Sequence, residues 1–131
     1  ARPAGGQIVY VEDNPINALL MQELVAQRPA CQLHLAIGVA DGVAMIERLR
    51  PDLVLVDVHL PDGSGLDIAR WMQGVPALTR VPVVAISADS TQQQRDAANA
   101  AGVRAYLAKP VDLSQALVLL DELLPAARPP G

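Results

Sequence analysis

Four consecutive aliphatic residues, Leu53-Val54-Leu55-Val56, end in a carboxylate, Asp57, between Pro51-Asp52 and a turn-rich run through Pro61, Gly63 and Gly65. An unbroken apolar run of this length, half of it β-branched, predicts a short strand buried on both faces of a parallel sheet. Similar runs recur along the chain. Residues 7–11 predict a first strand and residues 32–36 a weaker second one, with Leu33 and Leu35 on one side and His34 on the other. Residues 81–87 predict a fourth strand with Pro82 near its start, and residues 104–108 a fifth.

Between these runs the apolar spacing lengthens to that of helices. Asn14-Pro15 pairs an N-cap residue with proline at the first helical position, and Ile16, Leu19, Leu20, Leu24 and Val25 recur at helical spacing to about Gln27, with Pro29 beyond. A second helix runs to about Arg50 on Val43, Ile46 and Leu49, entering at either Gly38 or Asp41-Gly42. A third, roughly residues 65–73, buries Leu66, Ile68, Ala69 and Met72 and leaves Trp71 at least partly exposed. Ser90-Thr91-Gln92-Gln93 has capping-box spacing and opens a polar, alanine-rich fourth helix that Gly102 ends. With little apolar surface to bury, that helix is expected to be weakly held. Asp112 caps a fifth, with Leu113, Leu117, Leu120 and Leu124 on one stripe.

Five strands alternating with five helices predict an α/β domain: a flavodoxin-like, doubly wound five-stranded parallel sheet of order 2-1-3-4-5. Its crevice lies beyond the carboxyl ends of strands one and three, which end in Glu12-Asp13 and Asp57. Three carboxylates brought together repel one another, and a hard divalent cation, Mg²⁺ or Mn²⁺, relieves that cost. Ser87 closes the fourth strand at the same edge, and Lys109 follows the fifth. Lys109 is the only lysine in the chain, a compact charge of the kind that serves phosphate.

Composition narrows the alternatives. The 131 residues suit one domain, and with no Phe, one Trp and two Tyr its core must be built from Leu, Val, Ile and Ala. A formal charge of -4 without a Lys/Arg cluster argues against a nucleic-acid surface. Cys31 is alone, so no internal disulfide forms, and it reads as a small apolar filler in a reducing, cytoplasmic setting. No apolar run is long enough to span a bilayer. Residues 7–124 are expected to form the domain, with 1–6 and 125–131 as linker or tail. No glycine-rich phosphate loop follows the first strand, which disfavours a nucleotide or flavin site. An Asp-nucleophile phosphatase generally carries a second Asp two residues after the first, where this chain has His59.

The ordered set Glu12-Asp13, Asp57, Ser87 and Lys109-Pro110, each after its strand, resembles the receiver domain of two-component response regulators across residues 7–124. The string Val11-Glu12-Asp13-Asn14-Pro15-Ile16-Asn17 is similar to receivers of hybrid sensor histidine kinases. The resemblance implies phosphoryl transfer from a phosphohistidine of a sensor kinase or phosphotransfer domain, on another protein or in the same chain, onto Asp57. It implies a metal held by Asp13, Asp57 and the backbone carbonyl of His59, with Glu12 acting through an intervening water. Lys109 and Ser87 would bind phosphoryl oxygens, and Tyr106 would move with Ser87 to switch the face formed by helix four, strand five and helix five. Such a domain phosphorylates and dephosphorylates itself stoichiometrically and is not an enzyme. His59 and Asp89, two residues beyond Asp57 and Ser87, are expected to tune the lifetime of the acyl phosphate. A degenerate receiver serving only as a docking module is the structural alternative.

Overall fold

The computed structural model describes residues 4–126. Five parallel strands, β1 (Gly6–Val11), β2 (Cys31–Ala36), β3 (Leu53–Asp57), β4 (Val83–Ser87) and β5 (Ala105–Ala108), form one sheet of order β2-β1-β3-β4-β5, as the strand pattern predicts. Five helices among the described residues cover it: α1 (Pro15–Val25), α2 (Val39–Leu49), α3 (Gly65–Gln73), α4 (Gln92–Ala100) and α5 (Leu113–Leu123). Successive side chains of a strand point to opposite faces. Val54 and Val56 of β3 therefore join the core under α2 and α3, while Leu53 and Leu55 join the core under α1 and α5. All five residues of β3 and of β4 are buried.

Register sets the level of the strand ends. Val11 pairs with Val56, so the residue after β1, Glu12, stands level with Asp57. Ser87 pairs with Ala108, and the Lys109 N–H then donates to the Ser87 carbonyl at 2.9 Å. The four loops that leave β1, β3, β4 and β5 thus start from one edge.

Two helices turn differently from the sequence expectation. In α1 the buried positions are Met21, Leu24 and Val25, whereas Ile16, Leu19 and Leu20 are 68%, 56% and 58% exposed. The apolar side chains in the amino-terminal half of α1 thus face solvent, and Leu20 borders a cavity shared with Pro110 and Leu113. Leu113 of α5 is likewise exposed, and burial begins at Ala116 and continues with Leu120. The cap of α4 is Thr91, whose hydroxyl accepts from the Gln94 N–H at 3.2 Å, one residue later than the predicted capping box. Pro82 lies just before β4. A short hairpin, His59–Leu60 with Gly63–Ser64, and a 3-10 turn at Pro76–Leu78 add to the predicted elements. Residues 1–3 and 127–131 of the predicted flanks lie outside the described residues. Of the remainder, Ala4 is buried and bridges Ala126, and the Gly5 N–H donates to the Pro125 carbonyl at 3.0 Å.

The ambiguous start of α2 is settled by a partner 23 residues on. Gly38 is the N-cap and offers no side chain; Asp62, from the turn of the hairpin, accepts from the Val39 and Ala40 N–H groups at 2.7 and 3.1 Å. A Cβ at position 38 would lie 2.6 Å from Asp62 Oδ1, so glycine leaves room for the carboxylate. Those two backbone donors lower the Asp62 pKa. A depressed carboxylate contributes stability that is complete above its ordinary value, near pH ~3.9, and is lost as the pH falls through the folded value. Asp62→Ala is therefore expected to lower the thermal midpoint at neutral pH, and the gap to the parent should close in acid. A gap that stayed constant from neutral to strongly acid solution would show that the carboxylate charge does not hold this helix end.

Candidate functional site

Four side chains that the sequence placed at the strand ends meet in space. Lys109 Nζ donates to Asp57 Oδ2 at 2.8 Å and to Glu12 Oε1 at 2.9 Å, bridging the ends of β3 and β1. One oxygen from each of Glu12, Asp13 and Asp57 lies within 4.8 Å of the others. Glu12 and Asp57 are buried at 3% and 6% exposure, while Asp13 is open to solvent. Burial on its own would lower the Lys109 pKa and is the largest single influence. The hydrogen bonds and charges of Asp57 and Glu12 together outweigh it, so the ammonium is held above its ordinary range.

This arrangement suits a divalent cation on two counts. Three carboxylates against one ammonium leave two negative charges in a partly dry crevice. Among the described residues, Glu12 Oε2 is also the one buried side-chain oxygen or nitrogen without a hydrogen-bond partner. An orphaned buried oxygen is costly unless something else meets it. All-oxygen donors and an open carboxylate fit Mg²⁺ or Mn²⁺, with water completing the shell.

The backbone of β3 and α3 fixes Asp57 closely. The His59 N–H donates to Asp57 Oδ1 at 3.2 Å, and the Gly65 N–H donates to the Val58 carbonyl at 3.1 Å. A Cβ on Gly65 would lie 2.2 Å from the Asp57 carbonyl oxygen, so the first turn of α3 can sit against the strand end only as glycine. Ser64 caps that turn by accepting from the Leu66 N–H, and Asp67 accepts from the Ser64 N–H in return.

The remaining predicted residues stand at the same edge in a second group. Ser87 is fully buried, and its Oγ accepts from the Asp89 N–H at 3.0 Å. The half-buried Tyr106 donates its hydroxyl to the Asp89 carbonyl, and the Arg95 guanidinium lies 4.9 Å from the centre of its ring. Asp89 Oδ1 accepts from the Thr91 N–H at 3.0 Å. That bond is the largest reason its pKa is lowered, and the nearby His59 adds a smaller effect. The His59 side chain is exposed. His34 lies away from this edge, with Nε2 hydrogen-bonded to Gln7 Oε1 at 2.6 Å, in keeping with a structural residue.

Tyr10 was not anticipated. It is 1% exposed, and its hydroxyl donates to Glu12 Oε1 at 3.2 Å, the same oxygen that Lys109 holds. Burial, and after it the Glu12 charge, drives the Tyr10 pKa far above the ordinary phenol range, so the group remains a donor. The signal was present in the sequence: Tyr10 is two residues before Glu12, the spacing that puts both on one face of a strand.

Comparison with known proteins agrees with this geometry. The family model for the response regulator receiver domain matches residues 8–121. The polar-differentiation response regulator DivK of Brucella anthropi is 26% identical over 117 residues, covering 89% of this chain and 94% of its own. The receiver domain of a sensor histidine kinase from Pseudomonas aeruginosa PAO1, solved with a magnesium ion in its active-site cleft, is 30% identical. Its TM-score is 0.82, with 92% of this chain and 98% of that one covered. A receiver domain of a signal transduction histidine kinase from Syntrophus aciditrophicus has a TM-score of 0.83 at 25% identity, covering 92% and 90%. The chain belongs to the response regulator receiver domain family.

Proposed function

We propose that the domain accepts a phosphoryl group from a phosphohistidine onto Asp57 and that the chain signals through that modification. The observation that carries this reading is the Lys109 bridge between Glu12 and Asp57 beside a buried Glu12 oxygen that has no hydrogen-bond partner. An Asp57 carboxylate oxygen attacks phosphorus as the P–N bond breaks, and the departing electron pair stays on the imidazole. Little covalent work falls to the protein, so positioning and charge stabilisation dominate. Lys109 pairs with a phosphoryl oxygen, and Ser87 gives up its bond from Asp89 to donate to another. Glu12, Asp13, Asp57 and the His59 carbonyl would hold Mg²⁺ or Mn²⁺, which neutralises phosphoryl oxygens when bound. Tyr106 follows Ser87 and changes the face of α4, β5 and α5. The modification is stoichiometric rather than catalytic.

Intact mass after incubation with acetyl phosphate and Mg²⁺ tests the reading. The parent should gain one phosphoryl group, and Asp57→Asn and an EDTA control should gain none. Absence of any gain in the parent would leave a receiver fold used only for docking. His59 and Asp89 flank the approach of water to Asp57, and the low pKa of Asp89 keeps its charge there. In the same assay His59→Ala and Asp89→Ala should alter decay of the phosphorylated form more than its formation. Half-lives equal to the parent's would remove both residues from this role.

The donor, a sensor kinase or a histidine phosphotransfer domain, docks over the exposed end of α1. Supporting this, Ile16, Leu19, Leu20 and Leu113 form an exposed apolar group, and a cavity of about 360 Å³ lined by Leu20, Leu113, Pro110 and Lys109 joins that group to the site lysine. Leu20→Glu should slow transfer from a phosphorylated histidine phosphotransfer domain roughly tenfold or more while leaving acetyl phosphate labelling unchanged. Equal slowing with both donors would place the defect in the site instead. The receiver structures from two histidine kinases support a parent protein of that kind. Among the described residues no helix is long and apolar enough to cross a membrane.

A further inference from the structure

Resting on the phosphoacceptor reading, we propose that Tyr10 is a positioning residue that holds the Glu12 carboxylate when Lys109 turns to the phosphoryl group. Glu12 Oε1 has two donors, the Lys109 ammonium at 2.9 Å and the Tyr10 hydroxyl at 3.2 Å, and Glu12 Oε2 has none. Both donors meet the same oxygen, so the other is left without a partner. Their freedom differs greatly. Lys109 reaches the site on a long flexible stem from the turn after β5, whereas Tyr10 is 1% exposed within β1, packed in the core under α1 and α5.

The phosphoacceptor mechanism asks Lys109 to serve two acceptors in turn. Before transfer it neutralises Glu12 and Asp57; afterwards its charge is needed by phosphoryl oxygens on Asp57. A buried carboxylate that lost its only donor at that moment would bear the full cost of desolvation and could swing out of place. The Tyr10 hydroxyl, fixed by a strand and a packed ring, stays on Oε1 whichever way Lys109 points. The Glu12 carboxylate then keeps its place beside Asp57 in both states.

Tyr10→Phe removes this one donor and keeps the ring. Binding of Mg²⁺ alone and of beryllofluoride, a mimic of the phosphoryl group, with saturating Mg²⁺ would be measured by calorimetry, together with the unfolding midpoint in EDTA. Beryllofluoride affinity is expected to fall about tenfold, the scale of one hydrogen bond to a charged group. Mg²⁺ affinity and the EDTA midpoint should change little, because Lys109 still holds Glu12 there. In a Glu12→Gln background the effect of Tyr10→Phe on beryllofluoride should shrink, since the charge to be held is gone. Unchanged beryllofluoride affinity would overturn the proposal, as would equal losses for Mg²⁺ alone or a Tyr10→Phe effect that persists with Gln at position 12. A parent that fails to bind beryllofluoride at all would overturn the phosphoacceptor reading itself, and this one with it.

Discussion

Everything at the functional edge depends on keeping a buried carboxylate, Glu12, beside a second one, Asp57. Two such charges side by side repel, and the fold answers with a single ammonium placed between them. Removing one partner of a buried ion pair costs on the order of 3–5 kcal/mol, against a total stability of about 5–15 kcal/mol for a typical domain. Lys109 therefore carries structural as well as chemical weight. Yet one ammonium cannot neutralise three carboxylates, and the residual charge together with the orphaned Glu12 oxygen leaves the edge tuned for a cationic visitor. Sheet register is what makes this possible, because Val11 beside Val56 brings Glu12 level with Asp57 without any loop having to reach.

That dependence on register explains why so much of the site could be read from the chain alone. The acids and the lysine follow directly from strand ends, and strand ends are marked by short apolar runs bounded by Pro and Gly. The topology brought them together once the order was known. What escaped was governed by partners distant in sequence. The apolar positions of α1 could not reveal which stripe faces the sheet, because Ile16, Leu19 and Leu20 are as hydrophobic as Met21, Leu24 and Val25. The start of α2 hid because its capping carboxylate belongs to Asp62 in another loop. Arg95 over Tyr106 is a contact that no spacing rule along one element foretells.

The two sides of the site differ in character. The α1 end and Leu113 present aliphatic surface beside Lys109, suited to an apolar partner whose approach is decided by burial. On the other side α4 buries only Ala98 of its nine residues, and Ala98 and Ala101 are its small-residue attachments to the core. A helix with so little apolar area in place is held largely by its caps and by the loop that precedes it. It can be displaced without opening the core, which makes it a suitable element for reporting an event at the strand ends.

The loop between β4 and α4 gathers three hydrogen bonds on one residue. One peptide residue, Asp89, donates through its N–H to Ser87 and accepts through its carbonyl from Tyr106, while its carboxylate receives the Thr91 N–H at the helix entry. A movement of the Ser87 hydroxyl toward a phosphoryl group would break the first bond and free the Asp89 backbone to turn. Turning it would shift the acceptor of Tyr106 and the capped end of α4 together, since all three bonds end on the same residue. Arg95, stacked on the Tyr106 ring, would oppose such a shift through an interaction worth roughly 0.5–1 kcal/mol at a partly exposed site. Coupling between distant ligands is commonly about 1–3 kcal/mol, so a contact of this size would bias such a coupling without deciding it alone.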